Sequence, residues 1–534
     1  MTFVITGGCC SDSSCIPVCP VQCIRPRPGD PDFTTAEQLY IDPATCIDCG
    51  ACMDECPVNA IHSEWELPDE LADYVEVNSA YFEENPIEEA LPPDFSVRKL
   101  PADSGPLSVA IVGSGPAACY TAAELSELAG VTVSVFERLP TPFGLIRAGV
   151  APDHANTKLI ADRFNSVLSR PNVHCFFNVE VGVDLTLDDL LGHHHAVVWA
   201  GGANGDRRLG LPGEDLPGSH SAREFVAWYN SHPDHADDRF ELGGERVIVL
   251  GNGNVALDVA RILAQPVDRL RSTDIAEHAI EALADSCVRE VVVAARRAPS
   301  YAAYSASELA SLERVDGVSV HAVADDLGEG HGANDRRRAV IERAAERASE
   351  DGSRSIVFRY RLTPVSINGD DRVRSVTFER ADGQIETIEA ALVLRAVGYR
   401  GTPVTGLPFD EVMGTLPHRN GRVVQPESGY SVEGIYCAGW IKRGATGVIG
   451  SNKVDAAETV TTLLDDFVAG RLLDPKAGIE ELKELVAVRK PDYLGKEAWA
   501  LIDQAERRAG RESGRPRTKL ATVADLLATA RAEA

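Results

Sequence analysis

The sequence predicts an α/β protein in which two Rossmann-like, dinucleotide-binding units follow a small α+β module built on cysteines. Three observations carry this reading. Nine of the thirteen cysteines fall before residue 57 at regular spacing. From Leu107 onward short apolar strands alternate with helical segments, the texture of parallel βαβ units. Within that texture two glycine-rich turns each join a strand to a helix, the arrangement that lets backbone amides approach a pyrophosphate. A chain of 534 residues exceeds a single hydrophobic core and can enclose large cofactors.

In the cysteine module, Cys46, Cys49, Cys52 and Cys56 stand at steps of 3, 3 and 4 with Pro57 behind, a run that holds iron-sulfur clusters. Aligned on Cys19-Pro20, the earlier segment places Cys9, Asp12, Cys15 and Cys19 at the same steps, so Asp12 stands where a second cysteine would be. The fourth cysteine of each such run ligates the other run's cluster. Cys19, Cys46, Cys49 and Cys52 therefore make a complete [4Fe-4S] set. Cys9, Cys15 and Cys56 remain, three thiolates that suit a [3Fe-4S] cluster, with Asp12 available as a hard, labile oxygen ligand to a fourth iron. Cys10 is an alternative to Cys9, and Cys23 reads as a small core residue. A zinc site would separate its two ligand pairs by a longer loop. The scattered Cys119, Cys175, Cys287 and Cys437 read as reduced thiols outside any disulfide framework.

The net charge is -29, and residues 1–106 hold 20 Asp and Glu against Arg25, Arg27, Arg98 and Lys99, a local net charge of -16. Nucleic acid, which requires a basic footprint, is excluded as a partner. The acidity reads as a solvated surface or as an acidic module that docks against a basic rim elsewhere. No run approaches the roughly 18 apolar residues of a membrane span, and no leader pattern opens the chain, so the expectation is a soluble, cytoplasmic protein. Short strands are expected at residues 2–5 and 39–42. The acidic stretch 64–103, with Pro86, Pro92, Pro93 and Pro101, becomes a linker in its latter half.

The first dinucleotide unit runs from a strand into Gly113-Ser114-Gly115-Pro116-Ala117-Ala118, then a helix, then a strand over 131–136 that ends at Glu137, 24 residues beyond Gly113. An acid at about that offset accepts hydrogen bonds from a ribose diol. The second repeats the design at Gly251-Asn252-Gly253-Asn254-Val255-Ala256, with a helix over 257–263. After a long acidic helical insertion its next strand, 290–295, ends in Arg296-Arg297. Two guanidiniums at the ribose position grip a 2′-phosphate, which selects NADP over NAD. Two such sites describe a flavoprotein that exchanges hydride with a nicotinamide. No C-x-x-C lies beyond Cys56, so a thiol-disulfide reductase is excluded and the cysteine module becomes the flavin's one-electron partner.

Gly113-Ser-Gly-Pro-Ala117, Pro142-Phe-Gly-Leu-Ile-Arg-Ala-Gly-Val-Ala-Pro-Asp-His154, Gly251-Asn-Gly-Asn-Val-Ala-Leu-Asp-Val-Ala-Arg261, Ala295-Arg-Arg297 and Gly439-Trp-Ile-Lys-Arg-Gly-Ala-Thr-Gly-Val-Ile449 resemble the adrenodoxin-reductase family of ferredoxin-NADP reductases, over about residues 107–465. The whole chain resembles the bacterial fused ferredoxin/ferredoxin-NADP reductases, which begin with a bacterial-type, seven-iron ferredoxin domain. The resemblance implies a ferredoxin-like domain over 1–62, an acidic linker over 63–106, an FAD-binding domain over 107–202 and 401–534 with a C-terminal helical extension, and an NADP-binding domain over 203–400. It implies that Gly113, Gly115, Ala117, Glu137, Leu145, Val181, Trp440, Gly447, Val448 and Ile449 bind FAD. Asn252, Gly253, Asn254, Val255, Arg296, Arg297, Glu308 and Gly447 are implied to hold NADP. Gly444, Gly447 and Gly450 would let a backbone lie close to a flat ring, and a helix beginning near Lys453 would aim its positive end at the flavin.

The expected activity is electron transfer between NADPH and iron-sulfur centres through FAD, with an external ferredoxin or other redox protein as partner. Asp153 and His154 are candidates for proton delivery, and no catalytic acid or base is certain. The rival readings are the NADPH-oxidising small subunit of glutamate synthase and a non-enzymatic electron-storage or docking protein. Residues 313–355 read as a variable surface insertion. His193-His194-His195 read as a loop entering the strand 196–200, with a metal site as the less favoured alternative. The charged helical tail after 470 reads as packing over the flavin domain.

Overall fold

The computed structural model describes residues 2–87, 99–101, 104–328, 336–347 and 354–532. Residues 88–98 and 102–103 of the expected linker, with Pro92 and Pro93, and residues 329–335 and 348–353 of the expected insertion, with Asp335, lie outside the described residues. The protein is mixed α/β, with two largely parallel sheets and a small cysteine-rich module.

The first sheet has seven strands in the order His418–Arg419, Arg422–Val424, Ser431–Cys437, Ala196–Trp199, Leu107–Val112, Val131–Glu137, Val173–Phe177. The last five are parallel. Leu107–Val112 is buried on both faces, as a strand with helices on either side must be, so it reads as an unbroken apolar run. It emerges between Ala196–Trp199 and Val131–Glu137, so the turn at Gly113 opens where the chain departs to either side, the place where open α/β sheets bind ligands.

The second sheet is parallel throughout: Ser219–Ser221, Leu392–Arg395, Arg246–Leu250, Glu290–Ala294, Arg354–Arg359, Val318–Ala322. The described parts of 313–355 are therefore not a surface insertion. They supply the edge strand Val318–Ala322 and the helix Arg336–Glu346, whose Val340, Ile341 and Ala344 are buried in the second sheet's core. The strand Val318–Ala322 alternates Val-Ser-Val-His-Ala and is only partly buried, which hid it among charged neighbours. A three-stranded antiparallel meander over Leu362–Asn368, Ser375–Arg380 and Ile385–Glu389 covers one side.

The cysteine module pairs Phe3–Ile5 with Ile61–Ser63 and Ile24–Arg25 with Tyr40–Ile41, both antiparallel. The helix Asp73–Glu84 packs onto these strands. Its buried Asn78 accepts from the Ile5 and Ile41 amides at 3.2 and 2.9 Å and donates to the Ile5 carbonyl at 2.8 Å. The module thus continues structurally beyond residue 62. The tail forms Ile479–Arg489, Lys496–Glu512 and Val523–Ala532, and buried Trp499 meets Phe143 edge to face against the first sheet's core. No helix of the described residues is long and apolar enough to cross a membrane.

Candidate functional site

Gly113 follows the central strand at φ +103°, and a Cβ there would lie 2.6 Å from the Ala200 carbonyl oxygen, so only glycine fits. Gly115 precedes the helix Pro116–Ser126 with nothing within 4 Å of its missing Cβ, which leaves the N-terminal amides open to an anion. Glu137 reaches this turn from the neighbouring strand and accepts from the Ser114 amide at 3.0 Å, the Ser114 hydroxyl at 2.6 Å and the Leu139 amide at 3.0 Å. Oε2 takes both Ser114 donors, while Oε1 takes only the Leu139 amide and keeps a lone pair for a ribose hydroxyl.

Two further segments close on this cradle. Phe143 donates its amide to the Ser114 carbonyl at 3.1 Å, bringing Leu145, 36% exposed, to the turn's rim. Ala117 lies against Gly439, at the start of the short helix Trp440–Arg443. Trp440 is half exposed, contacts Tyr399 with ring centroids 5.2 Å apart, and donates to the Thr446 carbonyl at 3.2 Å. Gly447 (φ +82°) and Val448 are exposed, and Ile449 is half buried. Val181 is buried in a loop after the outer strand Val173–Phe177.

Gly450 corrects an expectation. Its lack of a side chain serves not a flat ring but the cysteine module: a Cβ there would stand 1.9 Å from the Ser11 carbonyl oxygen, and its amide donates to the Cys10 carbonyl at 2.8 Å. The segment 447–449 thus leads in one residue to the cysteine chain. The helix expected near Lys453 spans Ser451–Val468.

At the second turn Gly251 (φ +122°) would carry a Cβ 2.3 Å from the Ala396 carbonyl oxygen. Gly253 precedes the helix Asn254–Ala264, and Asn254 accepts from the Ser305 amide at 2.9 Å. The Asn252 carbonyl accepts from the Ala303 amide at 3.2 Å, and Val255 is half buried. Arg296 and Arg297 lie just past the strand Glu290–Ala294, both exposed, and no carboxylate of the described residues pairs with either. Arg297 lies over the Tyr301 ring at 5.7 Å.

Glu308 lies in the helix Ala306–Leu312. It joins a cluster that bridges the two sheets, centred on Arg261, whose side chain is 5% exposed. Arg261 donates to Asp153 at 2.8 and 3.0 Å, to Asp258 at 2.6 Å and to His154 Nε2 at 3.0 Å, with Glu308 at 3.9 Å. Burial opposes ionisation of Asp153, but the Arg261 guanidinium overrides it and holds that carboxyl well below the usual range. Burial raises Glu308, with Asp258 adding to the effect. Asp153 is committed to this ion pair, whereas His154 accepts on Nε2 and so carries its proton on Nδ1 in the neutral form. His154, Asp258 and Glu308 lie close enough together to suggest a metal, but the Arg261 guanidinium already sits among them, donating to His154 and Asp258, and would repel a second cation. The sequence reading missed Arg261 and Asp258, although both lie in the second glycine motif.

In the module, Cys19, Cys46, Cys49 and Cys52 line one small pocket together with Cys23, whose Sγ is 3.4 Å from that of Cys19. Cys49 is the exposed member. Cys9, Cys15 and Cys56 share the module's core on the side facing the first sheet, while Cys10, Val58 and Ala60 pack into that sheet's own core. Amides donate to sulfur at Cys9 (Ser11, 3.4 Å), Cys56 (Ala60, 3.2 Å) and Cys19 (Cys23, 3.4 Å), contacts that stabilise thiolate ligands. Burial pushes the Cys9 thiol up to about 11 and Cys52 up to about 12, so ionised sulfur at these positions calls for a bound cation. These residues fit two clusters, and the contacts favour Cys9 over Cys10. All thirteen cysteines are free thiols.

The three histidines are structural. His194 bonds the Leu190 carbonyl and Ser134 hydroxyl, His195 bonds Ser108, His193 bonds the Asp189 carbonyl, and burial lowers His194 to about 4.

The 4Fe-4S binding domain family matches residues 39–62, and the NAD(P)-binding Rossmann-like domain family matches residues 111–178. The chain is 46% identical to the "Probable ferredoxin/ferredoxin--NADP reductase" of Mycobacterium leprae, over 99% of this chain and 98% of that protein. It is 39% identical to the mitochondrial NADPH:adrenodoxin oxidoreductase of Arabidopsis thaliana, over 80% of this chain and 96% of that one. Among solved structures, FprA from Mycobacterium tuberculosis in complex with NADPH superimposes with a TM-score of 0.74 at 39% identity, covering 80% of this chain and all of that chain.

Proposed function

The chain belongs to the ferredoxin/ferredoxin-NADP reductase family, NADP-dependent oxidoreductases that act on iron-sulfur proteins, and we propose that it carries NADPH electrons through FAD to two clusters held in its own N-terminal module. When bound, FAD supplies the conversion of a hydride into single electrons, which the clusters relay. The observation that carries the reading is the junction at Gly450, where the segment leading from Trp440 bonds directly to the Cys10 carbonyl, one residue from Cys9.

Residues of this chain position the parts. The amides at Gly115 and Ala117 receive the FAD pyrophosphate, Gly113, whose amide donates to the Phe136 carbonyl at 2.7 Å, shapes the turn that brings them to it, and Glu137 receives the ribose. Leu145, Trp440, Gly447, Val448 and Ile449 frame the ring and Val181 backs the cofactor's far end. Asn252, Gly253, Asn254 and Val255 receive the NADP pyrophosphate. Arg296 and Arg297, exposed and without an acidic partner among the described residues, receive the 2′-phosphate. Glu308 and His154 close the nicotinamide end from one cluster with Arg261, which also fixes the two sheets relative to each other. His154, the unspent member of the pair Asp153 and His154, is the group available to hold a proton there.

Cys9, Cys15 and Cys56 form the inner, three-thiolate [3Fe-4S] site, and Cys19, Cys46, Cys49 and Cys52 the outer [4Fe-4S] site. Exposed Cys49 makes the outer site the side from which an external ferredoxin or other redox protein takes electrons. Free buried thiols suit a reducing cytoplasm. Reconstituted protein is expected to reduce cytochrome c with NADPH and no added carrier, and to do so far more slowly with NADH. Equal rates with both nucleotides, or no flavin bleaching by NADPH, would overturn the assignment.

A further inference from the structure

The single break in the cysteine spacing is also a place where the two halves of the chain grip each other. Asp12 is 4% exposed. Its Oδ1 accepts the Ser14 amide at 3.1 Å, and its Oδ2 accepts the Ser14 hydroxyl at 2.6 Å and Nη1 of Arg163 at 3.4 Å. Nη1 of Arg163 also donates to the Ser14 oxygen at 2.6 Å, and Lys453 donates to the Asp12 main-chain carbonyl at 3.1 Å. Arg163 comes from the helix Ile160–Leu168 and Lys453 from Ser451–Val468, both packed on the first sheet.

This geometry conflicts with iron ligation by Asp12. Both carboxylate oxygens already have donors, and a guanidinium beside Oδ2 repels an incoming metal cation. Asp12 nevertheless sits in the buried loop between Cys10 and Cys15, one residue after Ser11, whose amide donates to the Cys9 sulfur at 3.4 Å. A carboxylate poised beside a three-thiolate site is thus held by the reductase half.

We propose that Arg163, acting with Ser14, holds Asp12 off the inner site, so that Cys9, Cys15 and Cys56 retain a [3Fe-4S] cluster for as long as the module is docked. Arg163 is a positioning residue that sets the iron count of a site it does not touch. The proposal rests on the cluster reading above. The reaction it suppresses is uptake of one Fe2+ by the reduced, neutral [3Fe-4S] core to give [4Fe-4S] of charge 2+, with cluster sulfides binding the new iron and an Asp12 oxygen as its terminal ligand. No electron moves in that step. The oxidised cluster first takes one electron from dithionite.

The test uses the full chain, prepared anaerobically, reduced with dithionite and incubated with ferrous ammonium sulfate. After reoxidation, the paramagnetic signal of oxidised [3Fe-4S] is measured with total iron and labile sulfide. The parent is expected to keep its signal. Arg163→Gln and Ser14→Ala are each expected to lose it about tenfold faster, as expected for removing one hydrogen bond to a charged group, and to gain one iron per chain at unchanged sulfide. Asp12→Ala placed on Arg163→Gln is expected to restore retention. Equal rates of loss in parent and Arg163→Gln, or continued conversion in the double variant, would overturn the proposal. Absence of iron and sulfide from the parent would instead overturn the cluster reading beneath it.

Discussion

Gly450→Ala perturbs the junction between the flavin segment and the cysteine module with a single carbon. The backbone at Gly450 (φ -66°) is one any residue adopts, so the effect comes from collision alone. The new Cβ would lie 1.9 Å from the Ser11 carbonyl oxygen, 2.1 Å from its carbon and 2.5 Å from the Asp12 nitrogen, all backbone atoms that cannot rotate away. Restoring ordinary contact at about 3.4 Å requires the module to retreat by about 1.5 Å, which also breaks the bond from the Gly450 amide to the Cys10 carbonyl. Overpacking costs about 1–3 kcal/mol and the lost hydrogen bond about 1 kcal/mol more, so docking weakens by about 2–4 kcal/mol. That is roughly thirty- to several-hundredfold in the docked-to-undocked ratio. Stopped-flow absorbance separates the consequences. Flavin reduction by NADPH, and NADPH:ferricyanide turnover, should be largely retained, while cluster reduction slows in proportion to the lost docked fraction. Cluster reduction at the parental rate would refute the view that this contact carries the electrons.

Arg296→Ala should lower the NADPH-over-NADH preference in kcat/KM by about tenfold, the low end of a charge-assisted bond because the side chain is exposed, and steady-state kinetics with ferricyanide measures it. Arg261→Met leaves Asp153, Asp258 and Glu308 without their shared cation, and denaturant unfolding should register a loss of about 3–5 kcal/mol. His194, ordinarily near 6.5, titrates at about 4 because burial excludes its charged form. Below 6.5 the unfolded chain binds a proton that the folded one refuses, so His194 makes stability fall as pH drops from 6.5 to 4, by on the order of 3 kcal/mol. Urea unfolding of His194→Gln across that range should show a correspondingly shallower slope.

Much of this architecture is written locally. The steps between cysteines, the two glycine turns with Glu137 and Arg296-Arg297 beyond them, and the apolar runs at Leu107–Val112 and Arg246–Leu250 need only short windows to be read. What escaped depends on distance in the chain. Asp12 reads as a ligand from its spacing alone, and only folding brings Arg163 to it across 151 positions. The Arg261 cluster becomes visible only when Arg261, His154 and Glu308 arrive from separate elements. Gly450 was legible as a close approach, but not as an approach to Ser11. Residues 313–355 look like an insertion because the strand Val318–Ala322 is short, half polar and flanked by charge, so its pairing with Arg354–Arg359 is decided by the sheet it completes.

The account is tested most directly by anaerobic titration of the reconstituted chain with NADPH, followed by paramagnetic resonance and visible absorbance together. The oxidised [3Fe-4S] signal should disappear as the flavin bleaches, without any added carrier. A signal that persists through complete flavin reduction, yet vanishes on adding dithionite, would contradict electron transfer within this chain.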